Sequence, residues 1–391
     1  MTGAQPQRRF QLVAALTGLV LLLLTVAGAA TGAVRAPQLR DTGIQPERVV
    51  ELAGQRLTLT FNQPLSAAPT NLAIASETHS PKFDVSASGA QITVTFHEPL
   101  LAAQEYRVSG DATSLATGAS GVFSTSFKTA AQRLVTRVGD GPGSRIVAYE
   151  VPGGKPKEVL TADGIYDYAV GGNWVAAARE RATGDFVLTV KQQDSSEQVE
   201  LPIFKSERDH QIQFSPDGTL LGMKYDLVSH DVLALQSLAN ISTFGGRVVQ
   251  LDEVTQLKVA DWYFEQNSNT AHVLTQSGDH YTVGLDGVPQ LTDDPWIPLA
   301  DRSKPQWNGS ELHIESERTV VNAQGEIIYQ PAAPSSKVSR ICLSPNKQFV
   351  AVEVVPADSG EASATPQQAV IARSTGVLLA TLPGTVASWC G

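Results

Sequence analysis

The chain has 391 residues, of which 42% are hydrophobic, 17% charged and 6% aromatic, with a formal net charge of −10 and two cysteines. That length accommodates two or three domains of about 100–200 residues, and the hydrophobic fraction excludes wholesale disorder. Two cysteines exclude a disulfide-dense miniature domain and a four-cysteine zinc site, and the acidic balance argues against a nucleic-acid surface.

The charge is divided unevenly. Residues 1–40 hold Arg8, Arg9, Arg35 and Arg40 and no acid, so they carry +4 and the remainder carries −14. No charge interrupts Phe10 to Val34, and the segment is densest at Leu19-Val20-Leu21-Leu22-Leu23-Leu24. About 20 apolar residues cross a hydrocarbon core of about 30 Å as a helix. Residues 1–35 are therefore expected to be a cytoplasmic tip and a transmembrane signal anchor. Arg8-Arg9 would keep the N-terminus in the cytoplasm and place the rest outside, as a single-pass plasma-membrane protein. A cleaved signal ending near Ala27-Gly28-Ala29-Ala30 is a second reading, and a buried core helix a third. Residues 36–47, with Pro37 and Pro46, read as a linker.

From residue 48 to 130 the pattern is that of strands. Arg56-Leu57-Thr58-Leu59-Thr60-Phe61 and Gln91-Ile92-Thr93-Val94-Thr95-Phe96 alternate polar and apolar with period two. Tyr106-Arg107-Val108 and Phe123-Ser124-Thr125-Ser126-Phe127 follow less strictly, and turn residues separate the runs. A β-sandwich is expected. The phrase Leu59-Thr60-Phe61-Asn62-Gln63-Pro64-Leu65, its partner Val94-Thr95-Phe96-His97-Glu98-Pro99-Leu100, and the closing Phe123-Ser124-Thr125-Ser126-Phe127-Lys128-Thr129 resemble bacterial Ig-like domains of the S-layer SbsA type. That resemblance implies a spacer or adhesive module without catalytic residues.

Residues 132–391 are again strand-like, and they repeat. Phe214-Ser215-Pro216-Asp217-Gly218 and Leu343-Ser344-Pro345-Asn346-Lys347 each join two apolar runs through a Ser-Pro turn. These hairpins resemble those of WD40-like and TolB-type β-propellers. Taking Tyr168, Phe214, Trp262, Trp307, Leu343 and Trp389 as anchors gives spacings averaging about 44 residues, the length of a propeller blade. About six blades are expected, with the last strand, at Trp389, joining the strands after Leu134 to close the ring. The fold class expected is thus all-β with one N-terminal transmembrane helix, an Ig-like sandwich followed by a propeller.

Cys342 and Cys390 fall near the last two anchors. A disulfide between them would close a loop of about 48 residues, worth roughly 3–4 kcal/mol. Two buried thiols are the plainer reading, and a two-cysteine metal site lacks further ligands. No zinc-protease, nucleophile-elbow, phosphate-loop or dinucleotide motif is present. No catalytic, cofactor or metal residue is therefore expected, and the two-acid stretch Asp293-Asp294 reads as a turn. Loops before the innermost strands would carry Asp167, Arg208, Asp209, His210, Asp261, Asp301, Arg302 and Arg340, which are the candidate ligand-binding residues. The function expected is a membrane-anchored scaffold of the bacterial cell envelope that binds a protein, peptide or polysaccharide and no nucleic acid. An envelope hydrolase or lyase acting on glycan or peptide is the alternative.

Overall fold

A computed structural model describes residues 16–22, 36–139, 142–184, 186–202, 211–216, 218–227, 230–238, 258–265, 268–284, 287–297, 306–307, 310–356, 365–385 and 388–390. Among the described residues, 16–22 are helical and belong to helix α1. Among the described residues no helix is long and apolar enough to cross a membrane. The expected transmembrane helix, and with it the single-pass plasma-membrane placement, is therefore corrected. The rest of that apolar segment, residues 1–15 and 23–35, lies outside the described residues.

The chain divides into two compact units. The first takes residues up to Gln45, Gln55–His97 and Gln104–Lys128. Its strands are β1 (Leu39–Gly43), β2 (Arg56–Phe61), β3 (Ala73–Ala75), β4 (Phe83–Ser88), β5 (Gln91–Phe96), β6 (Glu105–Thr113) and β7 (Ser120–Lys128). They form one antiparallel sheet ordered β1-β2-β5-β4 and a second ordered β3-β6-β7. The period-two runs are strands over the residues expected. β2 buries Leu57, Leu59 and Phe61, and β5 buries Ile92, Val94 and Phe96. Phe61 of the first sheet meets Phe123 of the second edge-on, with ring centroids 5.1 Å apart, so the two buried faces oppose each other.

The second unit takes Pro46–Gly54, Glu98–Ala103 and everything from Thr129. Six antiparallel groups follow in chain order among the described residues. The first is β8 (Gln132–Val138), β9 (Ser144–Val151) and β10 (Lys157–Ala162). The second is β11 (Ile165–Gly171), β12 (Trp174–Glu180), β13 (Phe186–Gln192) and β14 (Gln198–Pro202). The third is β15 (Gln211–Phe214), β16 (Leu220–Leu227) and β17 (His230–Ser237), and the fourth is β18 (Val259–Phe264), β19 (Ala271–Thr275), β20 (His280–Val283) and β21 (Pro289–Leu291). The fifth is β24 (His313–Glu315), β25 (Thr319–Val321) and β26 (Ile327–Tyr329), preceded by the separate pair β22 (Gln306–Trp307) and β23 (Ser310–Glu311). The sixth is β27 (Lys337–Leu343), β28 (Phe349–Val355), β29 (Gln367–Ala372) and β30 (Leu378–Pro383).

Within each sheet every strand pairs with the next in sequence, and the first strands β11, β15 and β18 contact one another from group to group. Each apolar cluster spans two successive groups: Val135 with Tyr168, Leu188 with Met223, and Leu235 with Trp262. Successive meanders sharing cores through their first strands make this unit a β-propeller. Its ends meet. Arg137 and Thr385 exchange backbone hydrogen bonds of 3.1 and 2.8 Å, and Trp389 Nε1 donates to the Arg133 carbonyl at 2.7 Å. The Trp389 ring also stacks on Phe349 of the sixth group. Among the described residues the joining piece is a single bridge and the 3₁₀ turn Ser388–Cys390, where a whole strand was expected.

Two segments that the sequence assigned to the linker and sandwich cluster with the propeller. Helix α2 (Arg48–Glu51) buries Val49 and Val50, and the Val49 carbonyl accepts from Leu100 N–H. Asn346 Nδ2 donates to the Leu100 carbonyl at 3.2 Å, and Gln348 Oε1 accepts from Ala102 N–H at 2.8 Å. Both partners lie in the turn that joins β27 to β28.

Candidate functional site

The candidate residues Asp167, Asp261 and Arg340 occupy one structural position. In β11, β18 and β27 the register against the following strand shifts between Ile165 and Asp167, Val259 and Asp261, and Val338 and Arg340. Each shift is a β-bulge that inserts one residue, Tyr166, Ala260 or Ser339. A bulge leaves backbone groups out of the ladder, and neighbouring side chains take them up. Asp167 Oδ1 accepts from Tyr168 N–H and Asp261 Oδ1 from Trp262 N–H, each at 2.8 Å. Arg137 Nη1 donates to the Tyr166 carbonyl at 2.7 Å, and Lys224 Nζ donates to the Ala260 carbonyl at 2.9 Å. Both cations stand in the preceding group, so each clamps the next group's bulge.

The Ser-Pro turns fix the register of the other groups. In both, the serine hydroxyl accepts the N–H five residues on, from Leu220 to Ser215 and from Phe349 to Ser344, each at 2.9 Å. Counting back from the turn, Gln211 matches Arg340. Counting forward, Lys224 matches Glu353, and both pairs are cross-strand partners. One level of the first strands therefore carries Asp167, Gln211, Asp261 and Arg340. The expected anchor alignment needs correction in the same register. Tyr168 and Trp262 match Ile212 and Ile341, two residues before Phe214 and Leu343.

Tyr168 draws part of this level together. Its hydroxyl donates to the Val135 carbonyl at 2.9 Å. Burial pushes the phenol well above its usual range; Arg137 opposes, Asp167 and Glu353 add to the shift, and Arg340 opposes. Asp167 and Arg340 thus act on the same hydroxyl. Glu353 is anchored, with Oε1 accepting from Ser339 Oγ at 2.7 Å and Oε2 from Gln368 Nε2 at 3.0 Å. Arg340 is exposed, and it makes no hydrogen bond or ion pair among the described residues.

Arg208, Asp209, His210, Asp301 and Arg302 lie outside the described residues. Cys342 is buried in β27 and disulfide-bonded, and no described cysteine is free. The side chain of Cys390 lies outside what is described. Sequence reasoning missed Arg137, Lys224 and Glu353. Their signal was the repeated phrase of apolar residue, any residue, Asp, aromatic, at Ile165–Tyr168 and Val259–Trp262.

No family model matches the chain, and no curated protein matches it. The SbsA-type resemblance therefore gains no support. Among solved structures the chain is similar to TolB from Acinetobacter baumannii, at 12% identity over 71% of this chain and 76% of that one, with a TM-score of 0.40. It is also similar to the β-propeller domain of the Trilobed protease from Pyrococcus furiosus, at 9% identity over 86% and 93%, with a TM-score of 0.30. At such identities and scores nothing those proteins do transfers to this chain.

Proposed function

We propose that this chain is a non-enzymatic binding protein of the bacterial cell envelope whose propeller recognises a polypeptide at the bulged ends of its first strands. The observation that carries the reading is the shared level of Asp167, Gln211, Asp261 and Arg340, with Arg340 exposed and without a partner among the described residues. Side chains of both signs at one level suit a polypeptide, which presents both signs itself. A polysaccharide would need aromatic faces to stack on, but Trp262 is fully buried and Tyr168 is 8% exposed. The bonded state of Cys342 supports an oxidising compartment. Cys390, the chain's other cysteine, is its proposed partner.

The test is affinity capture from envelope extracts with the full chain, compared with Arg340→Glu and Asp261→Lys. A protein retained by the wild type and lost from both variants supports the reading. Capture indifferent to both changes, or turnover of a glycan or peptide panel without capture, contradicts it.

A further inference from the structure

In the first unit, the sheet β3-β6-β7 turns one face outward. On β7 the outward row reads Ser120, Val122, Ser124, Ser126 and Lys128. Val122 breaks its polar character and is 81% exposed. Its cross-strand partner on β6 is Asp111, and the partner of Ser120 is Thr113. Directly opposed residues stand about 4.5–5.5 Å apart at Cβ, so a bare aliphatic side chain lies beside a carboxylate and two hydroxyls.

The connection from β2 to β3 arches over this corner and is pinned to β6 at two positions. Ser66 N–H donates to the Thr113 carbonyl at 2.9 Å. Asn71 grips Asp111 twice: its Nδ2 donates to Asp111 Oδ2 at 2.8 Å, and its Oδ1 accepts the Asp111 N–H at 3.1 Å. The arch and the strands enclose a cavity of about 340 Å³ lined by Ser66, Thr70, Asn71, Asp111, Thr113 and Ser120, with aliphatic wall from Ala67 to Pro69. That volume is within the range of about 300–1,000 Å³ typical of small-ligand pockets. The Thr113 and Ser120 hydroxyls lie 2.8 Å apart. Asp111 Oδ1 and the hydroxyls of Ser66 and Thr70 make no hydrogen bond among the described residues.

We propose that this cavity binds a primary alkylammonium group, as carried by a free aliphatic diamine or a lysine side chain, with the ammonium on Asp111 and the methylenes along Val122. The lining holds one carboxylate and no cation, so an anionic ligand would meet repulsion. An ammonium has three donors and no acceptor. The open positions on the wall, a carboxylate oxygen and hydroxyl oxygens, all accept. A neutral polyol could bond to the hydroxyls but would leave the charge of Asp111 unmatched. Asn71 holds the carboxylate in place before a ligand arrives, which lowers the ordering cost of binding. An alkylammonium is apolar along its stem and charged at its tip, which is the combination that Val122 and Asp111 present side by side. The site lies wholly within the first unit and is independent of the level of Asp167, Asp261 and Arg340.

The experiment titrates the full chain with cadaverine and, separately, with Nα-acetyl-lysine methylamide, while nuclear magnetic resonance follows the Val122 methyl groups. A saturable shift at Val122 is expected, weakened by added salt. Asp111→Asn should weaken binding about tenfold or more, the loss of a charge-assisted hydrogen bond. Asp84→Asn, on β4 of the other sheet, should leave it unchanged. Pentanediol has the length of cadaverine without its charge and should not bind. That comparison uses the wild type alone, so it holds whatever the variants do to folding. A saturable response to either amine supports the proposal, and the stronger of the two tells a free diamine from a lysine side chain. No saturable shift with either amine, equal binding of the diol, or undiminished binding to a folded Asp111→Asn overturns it.

Discussion

A Cβ added to Gly222 would lie 2.3 Å from Cη2 of Trp262 and 2.7 Å from its Cζ3. Gly222 sits on β16 of the third group and Trp262 on β18 of the fourth, so the missing side chain of one group is the slot for the indole of the next. The indole is fully buried and packs with Leu233, Leu235 and Val273. The second and third groups repeat the device, since a Cβ on Gly171 would lie 2.2 Å from Cβ of Phe214. The prediction is that Gly222→Ala overpacks this joint and costs about 1–3 kcal/mol. Urea denaturation checks it, and an unchanged midpoint would contradict the packing described.

The two Ser-Pro turns differ at one strained position. Gly218 has φ +69° and Lys347 has φ +57°, and each N–H bonds back to the serine carbonyl, at 2.8 and 2.7 Å. A lysine pays a steric cost in the left-handed region that glycine avoids. Lys347→Gly is therefore expected to stabilise the propeller by about 0.5–1 kcal/mol. A lower melting temperature for this variant would refute the strain.

Glu51 ends the short helix α2. Burial raises its carboxyl from 4.5 to about 7, against the pull of Arg133 and Arg48 and with a small push from Glu47. The folded unit then binds a proton more tightly than the unfolded chain does. The stability this contributes is complete below about pH 4.5 and is lost as pH rises through about 7, up to roughly 3 kcal/mol in all. Glu51→Gln should flatten that fall and leave the variant more stable than wild type at pH 8. Parallel pH profiles for the two proteins would show that Glu51 is not its source.

Cys342 is expected to pair with Cys390. Thiol titration of the denatured, unreduced chain should find no free thiol, and reduction should release two. Cys342→Ser should cost about 3–4 kcal/mol, the entropy of opening a loop of about 48 residues. Free thiols before reduction would remove the pairing.

The sequence and the structure agree where one physical signal dominates. The alternation of Arg56–Phe61 and Gln91–Phe96 marked β2 and β5 to the residue, because one face of each is buried and the other is not. The Ser-Pro turns were legible because proline and a left-handed residue leave few conformations. The anchor alignment slipped by two residues at Phe214 and Leu343, because the period of a strand is two and either choice keeps the same face inward. The bulges broke that period at Tyr166, Ala260 and Ser339, and only the pairing register reveals them. The placement of 98–103 was not legible, because it rests on Asn346 and Gln348, some 250 residues away, and 46–54 follows it through the bond from Leu100 N–H to the Val49 carbonyl. Nor was the 2.9 Å hydrogen bond between His272 Nδ1 and His280 Nε2, since residues eight apart meet only once β19 and β20 pair with Leu274 opposite His280.

The central claim is that a polypeptide docks at the level of Asp167, Asp261 and Arg340. It is tested most directly by site-specific photo-crosslinking in cells, with the reactive side chain placed at Arg340 and, as a control, at Gly184 in the turn between β12 and β13. The account predicts a discrete cross-linked protein from position 340 and none from position 184. No adduct at 340, or the same adducts from both positions, would contradict it.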